Sequence, residues 1–540
     1  MAAQGFKAIA GTAHAHPAGH TDIGATSPDK TIAVTLILRR RAGAQPWGID
    51  DFANAQGDRR PNVTHADFAE RYGADPGEVE AIHAWARAHS LEVVETNLAA
   101  RSVVVRGSVA DVNAAFGMTL HDFASADETY HSHVGPATLP ADIADFVEAT
   151  SGLDGRTVPA VHYAQAKPSA SADDPPGTAP LTPQQVASLY GFPAGTGAGQ
   201  TIGIYEMQTG DGPPGYAPSD VAATMKGYGL PAPTPIDVSI DGVSNSGKSD
   251  GETGLDITVA AAIAQGATLA VYFTGGQTQN IIHALQQMIH PTAGNPVPTV
   301  ISISYGWGPD DENAGSFSDQ EYTQISSLFQ DAANLNITVL VSSGDSGAQI
   351  ASSTEAQVSY PASDPWVTAC GGTTVGDVDG ASFAEYAWND TGAGGAGASG
   401  GGVSARFPLP AYQTGAGVPN QIRTGAPGRG VPDIAGNASE NSGYVQYIGG
   451  RPQPVGGTSA VAPLYAGLIA LINANNKAPA GFLNPRIYPL AATAFRDITS
   501  PPGPADNSYG SVAGYPVTKG WDACTGLGSV KGSVLQTALA

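Results

Sequence analysis

Ser459 stands in Gly456-Gly457-Thr458-Ser459-Ala460-Val461-Ala462-Pro463, a glycine-rich turn that runs into a helix-like apolar stretch. That setting brings a hydroxyl to a helix N-terminus, where partial positive charge favours developing negative charge. A nucleophilic Ser needs a base. Beyond residue 176 the only histidines are His283 and His290, seven apart on one helical face, the spacing of surface or packing residues. No His in a glycine-rich setting precedes the Ser, as a subtilisin-type triad requires. Carboxyls fill the gap. In Ser249-Asp250-Gly251-Glu252-Thr253-Gly254-Leu255-Asp256, Glu252 and Asp256 are four apart, one turn along the same helix face. Carboxylates that close repel, which raises one pKa and favours a shared proton. Asp345, in Ser342-Ser343-Gly344-Asp345-Ser346-Gly347, directly follows the apolar run Ile337–Val341. Ligand groups in open α/β sheets gather beyond the carboxyl ends of strands. Alone, each string has a bland use, as an N-cap, an acidic helix start or a turn.

Several elements must position these residues. Residues 1–30 are polar, with small residues and three His, and are expected to be disordered. From residue 31 to 163 the pattern predicts an α/β unit, with strands at 32–38, 91–95, 102–106 and 119–123. Asp75-Pro76 is a cap followed by Pro at the first helical position, and Ser108 with Asp111 resembles a capping box. The β-α-β-β-α-β order predicts a small ferredoxin-like sandwich. Residues 164–181 are a linker by composition, rich in Pro, Ser, Ala and Asp. A second domain, 182–540, opens with Thr182 as N-cap. Its strand-like runs at 201–205, 268–273, 299–304 and 338–342 alternate with helix-like stretches at 255–264, 280–289 and 320–333. That alternation predicts a parallel sheet covered on both faces.

The formal net charge is −24, and without a basic stripe the chain is no nucleic-acid binder. Of its 24 Lys and Arg, 13 precede residue 176, and none lies between Lys248 and Arg406. A chain so poor in cations builds little positive charge in acid, where cation repulsion unfolds proteins. Two cysteines, Cys370 and Cys524, exclude a disulfide-rich scaffold, and their spacing leaves one bridge open. No apolar run approaches the ~18–20 residues of a membrane span, and the first 30 residues contain no conventional signal-peptide core. Export is therefore expected from function alone.

Together these motifs resemble the sedolisin family, the serine-carboxyl peptidases, and within it the kumamolisins. Glu252 and Asp256 stand in a G-E-x-x-L-D pattern, Asp345 in S-G-D-S-G, and Ser459 in G-G-T-S-A-x-x-P. The resemblance spans prodomain, linker and catalytic domain, and implies a subtilisin-like fold. It implies Ser459 as nucleophile, Glu252 as general base, Asp256 as its partner and Asp345 as oxyanion residue. It also implies Glu206 behind Asp256, with Tyr305 where the family usually has Trp. Near the C-terminus it implies one structural Ca²⁺ held by Asp497 and Asp522 and by carbonyls of Ile498, Thr518 and Gly520. Such a hard ion wants about 6–8 oxygens. The expected protein is an acid-acting, secreted, monomeric endopeptidase. It cleaves proteins or peptides, is inhibited by its own prodomain, and touches neither membrane nor nucleic acid. The competing readings are a neutral subtilisin-type protease, disfavoured by the missing His, and an inactive calcium-stabilised binding protein of the same fold.

Overall fold

The computed structural model describes residues 5–12, 20–55, 60–61, 63–125, 128–158, 164–165, 178–210, 212–310, 317–350, 353–391 and 397–540. The strand Thr31–Leu38 is β-branched and almost wholly buried, and lies inside a four-stranded antiparallel sheet. The order there is Glu92–Asn97, Ser102–Ser108, Thr31–Leu38, Val147–Ser151. Asp75 caps the helix Pro76–Ala88 by accepting from the amides of Gly77 and Glu78, and Ser108 caps Val109–Phe116 through the Asp111 amide. Val79, Ile82, Val109, Val112 and Phe116 pack from these helices onto Val34, Leu36, Val103 and Val105. This is the ferredoxin-like order.

Two expectations need correction. The fourth strand is Val147–Ser151, not the run at 119–123. The latter forms Leu120–Ala124, which pairs with Thr21–Ala25 and Thr129–His133 in a separate three-stranded sheet. Strand periodicity does not name a strand's partner, and the earlier apolar run is displaced by a later one of equal character. Nor are residues 1–30 disordered as a block. Phe6–Ala8 pairs with Thr138–Pro140, and Thr21–Ala25 joins the sheet just named. Both strands are exposed, so backbone ladders rather than apolar burial hold them, and composition is silent about such strands. Residues 1–4 and 13–19 lie outside the described residues.

The second unit is built on a ten-stranded, mostly parallel sheet. From one edge run Ile236–Ser239, Thr268–Thr274, Thr201–Met207, Val300–Ile303, Thr338–Ser342, Thr368–Asp379 and Ile434–Asn437, all parallel. The first strand in sequence, Thr201–Met207, sits inside the sheet, so the chain winds away from it in both directions and opens a crevice at the carboxyl ends. The helices Glu252–Ile263 and Val461–Asn476 pack together on one face, and Thr278–Ile289 and Asp319–Asn334 lie together on the other. Contrary to the expectation that no apolar run approaches a membrane span, the stretch Thr458–Asn476 has that length and hydropathy, but 89% of its most apolar window is buried inside the fold. It is a core helix.

The N-terminal unit sits on the second helix pair. Thr35 Oγ1 lies 2.7 Å from His283 Nε2, Gln320 Nε2 donates to the Thr150 carbonyl, and Asn334 bonds both backbone groups of Trp47. Ala164–Gln165 then pairs antiparallel with Val455 and Gly456, and the Leu181 amide donates to the Gly443 carbonyl. Tyr163 and residues 166–177 of the linker lie outside the described residues.

Candidate active site

The strand Arg451–Gly456 leads into a 3₁₀ turn, Thr458–Ala460, and then the helix Val461–Asn476. Gly457 has φ of 103°, and a Cβ on Gly456 would meet the Ala438 carbonyl oxygen at 2.2 Å. Both positions therefore demand glycine, and the Gly457 amide donates to that carbonyl at 2.6 Å. The turn presents Ser459, itself buried, with its hydroxyl donating to the Ser304 carbonyl at 3.3 Å. Ser304, just past the end of Val300–Ile303, returns a bond to the Ser459 carbonyl at 3.2 Å. Its hydroxyl also reaches both oxygens of Asp256, at 2.9 and 2.7 Å.

Glu252 opens the helix Glu252–Ile263, whose 12 residues are all buried, and Asp256 follows one turn on. Burial pushes the Glu252 carboxyl well up, Asp256 and Glu206 push it further by repulsion, and the Ser459 hydroxyl pulls it back. Burial also raises Asp256 strongly, with the Ser304 hydroxyl and Glu252 acting against the rise. Neither Glu252 oxygen closes a hydrogen bond of ordinary length and angle among the described residues. The Ser459–Glu252–Asp256 approach is loose, and catalytic bonds commonly tighten only when substrate binds.

Asp345 follows the strand Thr338–Ser342 beside the same turn. Its Oδ1 accepts from the Thr458 amide and hydroxyl, each at 2.8 Å. Its buried Oδ2 has no hydrogen-bond partner among the described residues. Burial lifts this carboxyl to about 7, against the two Thr458 bonds. It is thus a neutral acid through most of the acid range, with one oxygen held and the other left to carry a proton.

Glu206, near the end of Thr201–Met207, completes the buried set. Its Oε2 accepts from the Tyr305 hydroxyl at 2.8 Å and the Thr253 hydroxyl at 3.0 Å. Burial raises it well above the usual range, and Asp256 and Asp250 add to the rise. Tyr305, standing where the family resemblance expects Trp, keeps a donor to this carboxyl. Sequence reasoning missed Ser304 and Thr458, which tie Asp256 and Asp345 to the nucleophile's turn. The only local signal was their position beside Tyr305 and Ser459.

The C-terminal loop is closed by the Gly520 amide, which donates to both oxygens of Asp497 at 3.1 and 3.0 Å. Asp522 accepts from the amides of Thr518, Cys524 and Thr525, and burial lifts its carboxyl to about 6. No cluster of three or more His, Cys, Asp or Glu able to hold a metal occurs among the described residues. A metal here would have to draw on carbonyls besides Asp497 and Asp522, and an oxygen-only donor set, as the resemblance implies with Ile498, Thr518 and Gly520, is the chemistry a hard cation takes. Cys370 and Cys524 are both free and buried.

A parallel sheet that gathers a Ser and four carboxyls at its crevice, behind a separate antiparallel unit, defines a peptidase proenzyme of subtilisin-like fold. Residues 18–156 match the pro-kumamolisin activation domain, and residues 242–494 match the subtilase family. The chain is 38% identical to kumamolisin of Bacillus sp. (strain MN-32), over 98% of this chain and 96% of that one. It is 31% identical to tripeptidyl-peptidase sed5 of Aspergillus fumigatus, over 97% and 95%. Among solved structures it resembles Pseudomonas sedolisin, a serine-carboxyl proteinase complexed with two molecules of pseudo-iodotyrostatin. That likeness has a TM-score of 0.53 and 27% identity, over 67% of this chain and 98% of that one. The chain belongs to the sedolisin family of serine-carboxyl peptidases, with its activation prodomain attached.

Proposed function

We propose that this proenzyme matures into an acid-acting endopeptidase using Ser459, Glu252, Asp256 and Asp345. Ser459 Oγ attacks the scissile carbonyl carbon while its proton passes to Glu252, which Asp256 orients and polarises. Asp345, protonated, donates from Oδ2 to the oxygen that gains charge. Glu252 then returns the proton to the departing amine, leaving an acyl-enzyme that water hydrolyses by the same route in reverse. A carboxylic acid kept neutral so that it can donate to an oxyanion has a physical precedent. The observation that carries this reading is Asp345, whose carboxyl is lifted to about 7 and whose Oδ2 is left without a partner beside the nucleophile's turn.

The endopeptidase mode is supported by the chain's own linker. Ala164–Gln165 lies as an added strand on Val455 and Gly456, a few residues before Ser459, and the polypeptide continues in both directions. Strand addition is how extended peptides dock on a sheet edge, and a mid-chain segment docks here. We therefore place autocatalytic cleavage within residues 164–181. Asp497 and Asp522, with the carbonyls of Ile498, Thr518 and Gly520, would hold one Ca²⁺. That ion would supply charge neutralisation and loop rigidity, remote from the reacting groups. A secreted monomer acting on proteins completes the proposal.

The test is to acidify the full-length chain and digest casein at about pH 3.5 and about pH 7.5, identifying products by mass spectrometry. Internal fragments at acid pH alone are expected. Stepwise release of tripeptides would replace the endopeptidase mode, activity confined to neutral pH would overturn the carboxyl mechanism, and no activity would leave a binding protein.

A further inference from the structure

We propose that Thr253 and Asp250 are positioning residues that carry the active-site proton network from buried Glu206 to the solvent boundary. The inference rests on the reading of Glu252 and Asp256 as the working pair, and extends it to residues that the family motif does not include.

Thr253 is the second residue of the helix Glu252–Ile263 and is fully buried. Its hydroxyl lies 3.0 Å from Glu206 Oε2 and 2.9 Å from Asp250 Oδ2. Asp250, in the loop before the helix, is exposed as a residue, while its carboxyl is largely enclosed. Its Oδ1 accepts from the Thr253 amide at 2.9 Å, and its Oδ2 accepts from the Gly215 amide at 2.8 Å. Those two amide bonds hold the loop and would suffice for a purely structural Asp. The hydroxyl contact is additional, and its proton count makes it informative. A Thr hydroxyl has one hydrogen to give. If Glu206 and Asp250 were both ionised, one of the two contacts near 3 Å would set acceptor against acceptor. The chain is satisfied only when one of the two carboxyls carries a proton.

Burial raises both carboxyls, and Glu206, wholly enclosed, far more. The groups that act on Glu206 are the acids Asp256 and Asp250 and the hydroxyls of Tyr305 and Thr253. Asp250 acts in turn on Glu206, Glu252, Asp256 and Tyr305. Beside it in the loop, Ser249 bonds Asp220 at 2.7 Å. A proton leaving Glu206 Oε2 for Thr253 Oγ1, as Thr253's own proton moves to Asp250 Oδ2, makes one O–H bond for each one broken. Asp250 then exchanges with water. No co-reactant is needed.

Thr253→Val removes the hydroxyl and keeps the shape and the amide bond. Without that donor, Glu206 keeps its proton to higher pH, and a neutral Glu206 no longer repels charge on Glu252. Glu252 then meets less repulsion over the range in which wild-type Glu206 is charged, so the pH profile of kcat/KM should shift there by about half a unit. Thr253→Ser should restore the wild-type profile. The direct measurement is an infrared titration of the Ser459→Ala full-length chain, with the Glu206 carboxyl band assigned by its loss in Glu206→Gln. Thr253→Val should raise the midpoint of that band. Asp250→Asn, which leaves the hydroxyl's proton to Glu206 alone and removes a neighbouring charge, should lower it, and it serves if the valine variant does not fold. A wild-type acid peptidase whose Glu206 midpoint and pH profile ignore these substitutions would overturn the relay while leaving the proposed function intact. A wild-type chain without acid peptidase activity would instead sink the proposed function.

Discussion

Two buried carboxyl sites in this molecule have opposite electrostatics. Behind Ser459, Glu252, Asp256 and Glu206 are packed among one another and among hydroxyls, and burial and mutual repulsion drive their pKa values up. Under the prodomain, Asp331 is just as buried, yet its carboxyl is held below the usual range. Burial still pushes it up, but the Arg40 guanidinium, a 3.0 Å contact from His290 Nε2 and the Arg101 charge together win. Arg40 and Arg101 belong to the prodomain and share Ser327 Oγ at 3.1 and 3.0 Å. Depth alone thus does not decide a carboxyl's charge. The nearest cation does.

The signs lead to a division of labour. A carboxyl whose pKa is depressed in the joined state favours that state above its ordinary value, and the benefit is lost as pH falls through the lowered one. His65 of the prodomain, near Ile289 and His290, has its pKa lowered, first by burial and then by the neighbouring His290. It resists separation only until acid below its ordinary value of 6.5 favours the free, protonated form. Acid is therefore expected to loosen the prodomain, first through His65 and then through Asp331. The same acid keeps Asp345, whose carboxyl is lifted to about 7, in the neutral form that the proposed chemistry uses.

The largest expected effect is on the first site. Ser459→Ala should leave a folded chain that does not process in acid, with kcat down by about a millionfold, and gel analysis of the acidified variant checks it. Next, Asp345→Ala should cost about 10²–10³ in kcat. Asp345→Asn keeps a donor that never ionises, so the fall in kcat/KM above about pH 7, where Asp345 loses its proton, should vanish from the pH profile. An unchanged alkaline limb would remove Asp345 from the comparison. At the second site, Arg40→Ala breaks a buried pair at a cost of about 3 kcal/mol, roughly a hundredfold in prodomain affinity. Maturation, followed by mass spectrometry, should then begin at higher pH than in the wild type. Unaltered maturation would show that Asp331 does not hold the prodomain. The smallest effect concerns neither site. Chelation should lower Tm by on the order of 5 °C in calorimetry through the Asp497–Asp522 loop, without moving the pH profile. No shift, with no calcium found by metal analysis, would dismiss the ion.

Much of this was legible in the chain itself. Glycine at 456 and 457, the four-residue spacing of Glu252 and Asp256, and an Asp just past an apolar strand are local patterns, and local patterns persist through folding. The alternation of strands and helices after residue 182 likewise fixes a parallel sheet, because only a crossover joins parallel neighbours. The tertiary structure decided what depends on partners distant in sequence. It chose Val147–Ser151 over Leu120–Ala124 as the prodomain's fourth strand, and gave the exposed residues Thr21–Ala25 a ladder. It also set Ser304 between Asp256 and Ser459, and Arg40 against Asp331 across 291 residues. Side-chain type states what a residue can donate, accept or ionise. Only packing sets its depth and the charges it faces, and these move its pKa.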